Sequence, residues 1–346
     1  MVFINLYSDT QSTPTAEMRQ AMAEAEVGDE QAGLDPTVDT LCEKVAALLG
    51  KEQALFLPSG TMCNATAILV HCERGDEIIA HETSHIINFE GGGPAALAGA
   101  LVRPLTGARG QFAGDDVRAA VRPTSRYHPR SRLLAIEQTA NLGGGSVWPM
   151  AAVEEVSSAA REAGLKVHMD GARLLNAVVA SNGRAADYGA HVDTLWIDLS
   201  KGLGCPVGGV LAGDAAFIDE AWRWKQRLGG AMRQAGIIAA AGVYALDHHV
   251  DRLAQDHANA RLFADLMGEH ARVEIASEGV DTNIVFLDLT LDGVSAADVS
   301  ARALENGLRI GATAATRLRA VTYLNLAVDD ITAAAKILCD TLDSFS

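Results

Sequence analysis

The 346-residue sequence predicts an α/β protein in which helices cover a mostly parallel sheet, followed by a small α+β domain. Short apolar strands alternate with helical segments along most of the chain, which is typical of parallel sheets. Toward the C-terminus the strand patterns alternate between apolar and polar residues. A chain of this length, with 49% hydrophobic and 21% charged residues, suits one large domain and one smaller domain.

The predicted large domain begins with two helices. Residues 14–26 form a helical pattern opened by proline and threonine, and residues 37–49 form a second one that ends at Gly50, a residue suited to a helix C-cap. Apolar runs then predict strands, with a helix over 153–163 among them. The predicted strands are 54–57, 77–80, 100–104, 132–137, 167–170, 194–198 and 207–212.

The remaining sequence predicts a helical connection and a smaller domain. Residues 236–246 are apolar enough for a buried helix, and residues 248–267 predict a long connecting helix. The strands predicted beyond it are 273–275, 283–287 and 321–324, and the predicted helices are 294–306 and 330–342. We therefore expect a large domain of residues 14–247 and a small domain in which 248–346 join the N-terminal segment 1–13.

Charge and cysteine content exclude several classes of protein. The net charge of −16 argues against nucleic acid or an anionic membrane as a partner. The N-terminus lacks the basic segment and apolar run of a signal peptide, and no apolar stretch is long enough to span a bilayer. The five cysteines are scattered without CxxC spacing, so we expect no disulfide framework, no metal site and a cytoplasmic location.

Two predicted strands lead into an ionisable residue that is followed by glycine. Asp170 ends strand 167–170, and Lys201 follows strand 194–198 by three residues. Either residue alone has an ordinary explanation as a capping aspartate or a surface lysine. Ligands of open α/β sheets bind at the carboxyl ends of strands. Together the pair favours pyridoxal 5'-phosphate (PLP), because the lysine forms a Schiff base and the aspartate keeps the pyridine nitrogen protonated.

Other residues could complete such a site. Ser59, Gly60 and Thr61 lie between a strand and a helix, where backbone N–H groups bind phosphate, although Ser59 also suits an ordinary helix cap. His85 could stack on a cofactor ring and take a proton, or could be a surface turn histidine. His128 is a weaker candidate, since its proline-flanked loop also suits an exposed residue.

Three arginines are candidates for binding acidic groups. Arg173 follows Asp170 closely enough to reach the ring hydroxyl or a substrate carboxylate, which guanidinium binds with two hydrogen bonds. Arg319 is a second carboxylate candidate, with a solvated charge on an edge strand as the alternative. Arg233 lies in a glycine-rich loop that enters a helix, where an ordinary helix-start arginine is the alternative.

In this order, the motifs resemble those of the low-specificity L-threonine aldolases, a group of β-eliminating lyases that use PLP and share the aspartate aminotransferase-type fold. The resemblance covers nearly the whole chain and implies PLP fold type I, with a seven-stranded, mostly parallel sheet in the large domain. The matching segments are Ser8-Asp9-Thr10, Gly33 with Asp35-Pro36, Pro58-Ser59-Gly60-Thr61, Ser84-His85-Ile86, Asp170-Gly171-Ala172-Arg173, Leu199-Ser200-Lys201-Gly202-Leu203-Gly204, Met232-Arg233-Gln234 and Arg319 with Val321-Thr322.

The resemblance implies a role for each residue. Lys201 would carry PLP, Asp170 would face the pyridine nitrogen and His85 would stack on the ring. Such enzymes are typically homotetramers, dimers of dimers whose active sites are shared between subunits. The phosphate would be bound by Gly60 and Thr61 with Arg233 of a neighbouring subunit, and the carboxylate of a small amino-acid substrate by Ser8, Arg173 and Arg319.

The sequence departs from the family pattern at several positions. Ala32 and Ala140 stand where relatives often carry tyrosine and histidine, which predicts a wider pocket. Gln226 replaces a lysine, and Tyr323 replaces a histidine. Without a histidine at position 140, the base that accepts the β-hydroxyl proton would be His85, His128 or a bound water.

The reaction implied by the resemblance is aldol cleavage of an L-β-hydroxy-α-amino acid to glycine and an aldehyde. Elimination, dehydration or racemisation of a related amino acid remains open as an alternative with the same cofactor. A nucleotide-binding α/β protein is disfavoured because no GxGxxG fingerprint opens a helix near the start. A catalytically silent relative is disfavoured because Asp170 and Lys201 are both present.

Overall fold

The structure, a computed structural model, describes residues 3–276 and 279–345. Within these residues thirteen strands form three sheets. The strands are β1 (Ile4–Asn5), β2 (Gln53–Leu57), β3 (Glu77–His81), β4 (Leu101–Leu105), β5 (Ser131–Glu137), β6 (Lys166–Asp170), β7 (Thr194–Asp198), β8 (Gly209–Gly213), β9 (Val273–Ile275), β10 (Ile284–Leu289), β11 (Leu308–Arg309), β12 (Gly311–Ala312) and β13 (Arg317–Val321).

Helices connect nearly all of these strands. In the part of the chain that the structure describes, no helix is long and apolar enough to cross a membrane. The helices are α1 (Ala16–Ala23), α2 (Pro36–Leu49), α3 (Gly60–His71), α4 (His85–Asn88), α5 (Gly114–Ala120), α6 (Met150–Glu162), α7 (Leu174–Ser181), α8 (Ala185–His191), α9 (Ala215–Arg227), α10 (Gly236–His248), α11 (Leu253–Gly268), α12 (Ala296–Glu305) and α13 (Val328–Asp343).

The largest sheet has seven strands in the order β2-β8-β7-β6-β5-β3-β4. Strand β8 runs antiparallel to both of its neighbours, and the other adjacent pairs are parallel. The carboxyl ends of β3, β5, β6 and β7 therefore meet at one edge of the sheet. The predicted α/β class with a mostly parallel seven-stranded sheet is confirmed.

Helices cover both faces of this sheet, as the alternation of side chains along its strands shows. Leu195 and Ile197 of β7 pack into the main apolar core, whereas Trp196 between them packs with α3 and α9 on the opposite face. Strand β2 behaves in the same way, since Phe56 joins the first core and Leu55 the second. Strands buried on both faces read as continuous apolar runs, which is why the sequence predicts them well.

A second apolar core lies in the C-terminal part of the chain. Strands β12, β13, β10 and β9 form a four-stranded antiparallel sheet in that order. The N-terminal β1 pairs in parallel with β11, and Ile4 and Leu6 pack with Phe263 and Leu338 in this core. The division at residues 1–13, 14–247 and 248–346 stays a prediction.

Two predicted elements differ from the structure. The helix predicted over 248–267 begins only at Leu253, as α11, because α10 extends to His248 and a break follows it. In the break, the ring of buried His249 hydrogen-bonds Leu203 O at 2.7 Å, which ties the bend to the turn that follows β7. The strand predicted over 321–324 lies earlier in the chain, as β13 over Arg317–Val321. The prediction followed the apolar run after Arg319, whereas the strand itself alternates arginines with buried residues.

Candidate active site

Three neighbouring strands of the large sheet end in a carboxylate. Glu137 ends β5, Asp170 ends β6 and Asp198 ends β7, and each residue is at least 91% buried. A cavity of about 200 Å³ opens at this edge. It is lined by Thr10, Gly60, Thr61, His85, Glu137, Asn141, Asp170, Ala172, Arg173, Trp196, Asp198, Ser200 and Lys201. The structure thus brings together six of the residues predicted from the sequence.

Lys201 reaches the cavity from a tight turn after β7. Asp198 Oδ1 accepts hydrogen bonds from Ser200 N at 2.7 Å and from Ser200 Oγ at 2.9 Å, which folds the chain back on itself. The other oxygen, Asp198 Oδ2, lies 3.0 Å from Lys201 Nζ. The amine is only 15% exposed and lies 5.8 Å from the centre of the Trp196 ring. Asp198 therefore orients the amine, a role that the sequence did not reveal.

Asp170 is held from two sides. Its Oδ1 accepts a hydrogen bond from Ala172 N at 3.0 Å, and its Oδ2 accepts one from Asn64 Nδ2 at 2.7 Å. The carboxylate is nearly buried and still lines the cavity. A fixed carboxylate in this position is suited to a protonated pyridine nitrogen. Asn64 was missed because it lies in an otherwise apolar stretch of α3.

The first turn of α3 provides the predicted phosphate site. Ser59 is the exposed N-cap residue, and its Oγ accepts a hydrogen bond from Met62 N at 3.2 Å. First-turn N–H groups such as those of Gly60 and Thr61 have no acceptor within a helix and attract anions. The need for glycine has another cause, because a Cβ at Gly60 would lie 2.2 Å from Trp196 Cη2.

His85 and Glu137 form the part of the cavity that can exchange protons. Glu137 Oε2 accepts a hydrogen bond from His85 N at 2.7 Å, and Oε1 accepts one from Asn141 N at 2.8 Å. Burial, together with the charge of Asp170, raises the pKa of Glu137 to about 7. Burial alone lowers the pKa of His85, but its hydrogen bond to Glu90 and the nearby acids raise that pKa overall. Such perturbed groups in a cavity are typical of catalytic sites.

Arg173 lines the cavity, but most of its guanidinium group binds Asp9. Arg173 Nε and Nη2 donate to the two Asp9 oxygens at 2.7 Å each, and both side chains are buried. Burial alone would raise the pKa of Asp9, but Arg173 lowers it to about 2. One edge of the Arg173 guanidinium group is therefore occupied, and the second hydrogen of Nη2 and both hydrogens of Nη1 are left for another acidic group.

Arg319 has more unused hydrogen-bonding capacity. Its Nη1 donates to Asn141 Oδ1 at 2.9 Å and its Nη2 to Tyr7 O at 3.3 Å. Among the described residues, no acceptor lies within hydrogen-bond distance of its buried Nε. Burial, followed by repulsion from Arg173, lowers the pKa of Arg319. A guanidinium in this state, beside the cavity-lining Asn141, is suited to a substrate carboxylate.

Ser8 has a local role that the resemblance did not predict. It is buried, and its Oγ accepts hydrogen bonds from Thr10 N at 3.2 Å and from Thr10 Oγ1 at 2.9 Å. Thr10 lines the cavity and Ser8 does not. Ser8 therefore caps the turn that presents Thr10 and Asp9.

His128 and Arg233 lie outside the cavity of their own chain. His128 is exposed in the loop before β5, so the whole strand separates it from the carboxyl edge, and the interpretation of it as a base in this cavity is wrong. Arg233 is 63% exposed, and its Nη1 donates to Asp29 Oδ2 at 2.9 Å. Its predicted role in a neighbouring subunit stays a prediction.

The wider pocket predicted from two alanines is absent from this protomer. Ala140 is buried beside a separate cavity of about 10 Å³ and does not line the larger one. Glycines close around it, since a Cβ at Gly110 would lie 2.7 Å from Ala140 Cβ and a Cβ at Gly143 would lie 3.0 Å away. Ala32 is exposed in a short turn outside the cavity.

The fold and the cavity together define a class of protein. An oriented amine, a buried carboxylate on the adjacent strand, a helix N-terminus and an imidazole are the groups that hold PLP. All of them are found at the carboxyl edge of a mostly parallel sheet, where ligands of such sheets bind. The residues fit the cofactor, and the protein is a PLP-dependent enzyme of fold type I.

Comparison with known proteins gives the family. The model of the β-eliminating lyases matches residues 5–290. A low-specificity L-threonine aldolase from Escherichia coli (strain K12) is 40% identical, covering 95% of this chain and 96% of the relative, and a low-specificity L-threonine aldolase from Arabidopsis thaliana is 36% identical, covering 95% and 93%. The chain belongs to the β-eliminating lyase family and is a PLP-dependent lyase.

A solved structure extends the likeness to the whole fold. A threonine aldolase from Leishmania major superposes with a TM-score of 0.83, covering 97% of this chain and 98% of that chain at 19% identity. The resemblance drawn from the sequence motifs is thus confirmed for the family, the fold and the cofactor.

Proposed function

We propose that the protein cleaves L-β-hydroxy-α-amino acids, such as threonine, allo-threonine or a bulkier analogue, to glycine and an aldehyde. The observation that carries this proposal is the cavity in which Lys201, Asp170 and His85 lie together beside an arginine with unused donors. The names of the relatives, low-specificity L-threonine aldolases, support it.

The chain's own residues hold and orient the reactants. Lys201 would bind the cofactor covalently, Asp170 would pair with its pyridine nitrogen, and the first turn of α3 would bind its phosphate. When bound, PLP supplies the electron sink for cleavage of the Cα–Cβ bond. Asp170, fixed by Asn64 and Ala172 N, would place a negative charge beside the pyridine nitrogen, which has to stay protonated.

Substrate orientation is the task of the arginines. Arg319 would bind the substrate carboxylate together with Arg173, through the N–H groups that Asp9 leaves unused. Binding of the carboxylate would fix the orientation of the substrate and so of its Cα–Cβ bond, the bond that is cleaved. Ser8 acts indirectly, through the turn that carries Asp9.

His85 is our choice for the base that accepts the β-hydroxyl proton, directly or through a water. It lines the cavity, whereas His128 lies at the other edge of the sheet. Its hydrogen bond with Glu90 and the nearby acids raise its pKa above the ordinary value of 6.5, and an imidazole is the side chain best suited to exchange protons near neutral pH.

We extend the proposal to the assembly and its location. Arg233, exposed and far from its own cavity, would bind the cofactor phosphate of a neighbouring subunit in a cytoplasmic homotetramer. Mixing an inactive Lys201→Ala protein with an inactive Arg233→Ala protein tests this arrangement. Hybrid assemblies should recover part of the activity, because one kind of site then receives both wild-type residues. No recovery in mixed tetramers would contradict a shared site.

Product analysis tests the reaction itself. Purified protein is incubated with L-threonine, L-allo-threonine and phenylserine, and every product is identified, with Lys201→Ala as the control. Aldol cleavage yields glycine and an aldehyde, elimination yields a 2-oxo acid and ammonia, and racemisation yields the D-isomer. Absence of glycine among the products would overturn aldol cleavage and favour one of the other two reactions.

A further inference from the structure

Asn64 on α3 uses all of its hydrogen-bonding capacity and contacts two acids near the cavity. Its Nδ2 lies 2.7 Å from Asp170 Oδ2 and 2.7 Å from Glu90 Oε1. Its Oδ1 lies 2.7 Å from Trp196 Nε1 and 3.1 Å from His168 Nε2. The side chain is fully buried, and a buried amide with four good partners fixes the positions of all of them.

The indole determines how this amide is turned. Trp196 Nε1 can only donate, so the Asn64 atom facing it is the carbonyl oxygen. The Asn64 amino group therefore faces the two carboxylates, and each accepts one of its hydrogens. One N–H of Asn64 thus points at Asp170 and the other at Glu90. These two hydrogen bonds offset part of the repulsion between the two acids.

Glu90 extends this order to His85. The Glu90 side chain is nearly buried, and its Oε1 lies 2.8 Å from His85 Nδ1. A carboxylate oxygen accepts hydrogen bonds, so Nδ1 carries the hydrogen and Nε2 of the neutral ring is left as the acceptor. The ring that lines the cofactor cavity is therefore held in one tautomer.

We infer that Glu90 is a positioning residue that fixes the tautomer of His85, and that Asn64 holds Glu90 and Asp170 in a fixed relative position. The Asn64 amide then fixes the position of Asp170, which would pair with the pyridine nitrogen, and through Glu90 that of His85, the proposed proton acceptor. The consequence for catalysis rests on the proposed function, whereas the tautomer of His85 does not.

Several charged groups act on the His85 ring. Those that interact with it or line the same cavity are Glu90, Asp170, Glu137, Asp198, Lys201 and Arg173. Burial disfavours the protonated ring, and the hydrogen bond to Glu90 is the largest influence that favours it. Loss of the Glu90 charge should therefore shift the titration of His85 to lower pH, even with two other acids in place.

Two variants of Glu90 separate its charge from its hydrogen bond. Glu90→Gln keeps an acceptor oxygen and removes the charge, whereas Glu90→Ala removes both. Glu77→Gln is the matched control, because Glu77 is also a buried carboxylate but binds Arg122 at the opposite edge of the sheet. Each holoenzyme is labelled with ¹⁵N-histidine, and His85→Gln identifies the His85 signals. Nitrogen chemical shifts, melting temperature, kcat and KM are then measured against pH.

In the wild type the nitrogen shifts should show hydrogen on Nδ1. Glu90→Gln should keep this tautomer and lower the pKa of His85 by about 1, with kcat reduced about tenfold and KM little changed. Glu90→Ala should mix the two tautomers. Glu77→Gln should lower the melting temperature and leave the His85 signals unchanged.

Two results would overturn the inference: a His85 tautomer and pKa unmoved in both Glu90 variants, or an equal change in the Glu77→Gln control. If the protein performs no aldol cleavage, the nitrogen shifts still decide the role of Glu90. If Glu90→Ala does not fold, the wild-type shifts test the tautomer and Glu90→Gln tests the charge: hydrogen on Nε2 in the wild type, or an unmoved pKa in Glu90→Gln, would overturn the inference.

Discussion

The two edges of the seven-stranded sheet treat their buried carboxylates differently. At the amino edge, each acid is paired with an arginine. Asp76 accepts hydrogen bonds from Arg130 Nε at 2.9 Å and Nη2 at 2.8 Å, and Glu77 accepts one from Arg122 Nη2 at 3.2 Å. Burial would raise the pKa of Asp76, but its hydrogen bonds with Arg130 and the backbone lower it overall.

At the carboxyl edge, the acids face one another instead. Glu137 and Asp170 are direct partners in the pairing of β5 with β6, and the ion pair of Lys201 is with Asp198. Burial and Asp170 raise the pKa of Glu137 to about 7. The sheet thus pairs its buried acids with arginines at the amino edge and leaves two acids next to each other at the carboxyl edge. Such an arrangement costs stability and is expected where protons or a cofactor are bound.

The largest effect should follow from removing the amine of the carboxyl edge. Lys201→Ala should lower kcat/KM by at least about 10³-fold, because no other residue can bind the cofactor covalently. Its melting temperature should change little, because the Lys201 side chain lines the cavity at the carboxyl edge of the sheet and does not belong to the apolar core. In the wild type, borohydride reduction, digestion and mass spectrometry should find the pyridoxyl group on Lys201. A modified peptide without Lys201 would refute the assignment.

The second test compares one carboxylate from each edge. Asp170→Asn should reduce turnover about 10²- to 10³-fold, because an amide cannot sustain the charge of the pyridine nitrogen. Its stability should hold or rise, since repulsion of Glu137 is relieved. Asp76→Asn should do the reverse and cost about 1–2 kcal/mol of stability with little change in turnover.

Turnover and thermal melting of both variants are the measurements. Equal losses of turnover in Asp170→Asn and Asp76→Asn would remove the distinction between the edges. Unchanged turnover in Asp170→Asn would mean that Asp170 is not the ring partner.

Sequence patterns could locate the acids and the lysine of the carboxyl edge. Asp170 and Lys201 each follow an apolar run that reads as a buried strand, and the ends of parallel strands converge. Their partners could not be located in this way. Asn64 is 106 residues from Asp170, and Asp9 is 164 residues from Arg173, so only the folded chain shows these hydrogen bonds.

The limits of the fold prediction have the same origin. Strands β6 and β7 were predicted to within one residue, because burial on both faces makes their sequence continuously apolar. The break between α10 and α11 was predicted at residue 247 but lies at 249–252, where His249 contacts the distant Leu203. The partner of Arg173 was missed for the same reason, because Asp9 lies in the N-terminal segment.

A third test uses the pH dependence of stability. The folded-state pKa of Glu137 lies above its ordinary value of 4.5, so the folded protein binds more protons than the unfolded chain between pH 4.5 and about 7. Glu137 alone should therefore lower the stability by about 3 kcal/mol across this window as pH rises. Glu137→Gln should remove most of that fall and be the more stable protein above pH 7. The profile of the wild type also contains the opposite contribution of His71, His168 and His257, whose pKa values burial lowers, so the effect of Glu137 is read from the difference between two proteins.

The measurement is urea unfolding of the cofactor-free protein at a series of pH values. Asp76 provides the contrast, because its lowered pKa stabilises the fold above the ordinary value of 3.8 and that stability is lost on acidification. Asp76→Asn should thus flatten the acid limb and leave the window from pH 4.5 to 7 as it is. Identical profiles for wild type and Glu137→Gln would show that Glu137 titrates normally.

The smallest effect concerns a residue just beyond the end of β5. If the pocket were wider at Ala140, as the sequence predicts, Ala140→His would refill it and shift the preference toward threonine. The structure shows Ala140 enclosed by Gly110 and Gly143 beside a cavity of only about 10 Å³, outside the cofactor cavity. We now expect Ala140→His to cost about 1–3 kcal/mol of stability through overpacking. The ratio of kcat/KM for phenylserine and threonine should change by less than about threefold, because residue 140 does not line the cofactor cavity. A group placed directly against the substrate would change the ratio by about 1–3 kcal/mol, which is a larger effect. A tenfold shift toward threonine at unchanged melting temperature would show that residue 140 reaches the substrate after all, and that the reactive part of the carboxyl edge extends beyond the strand ends.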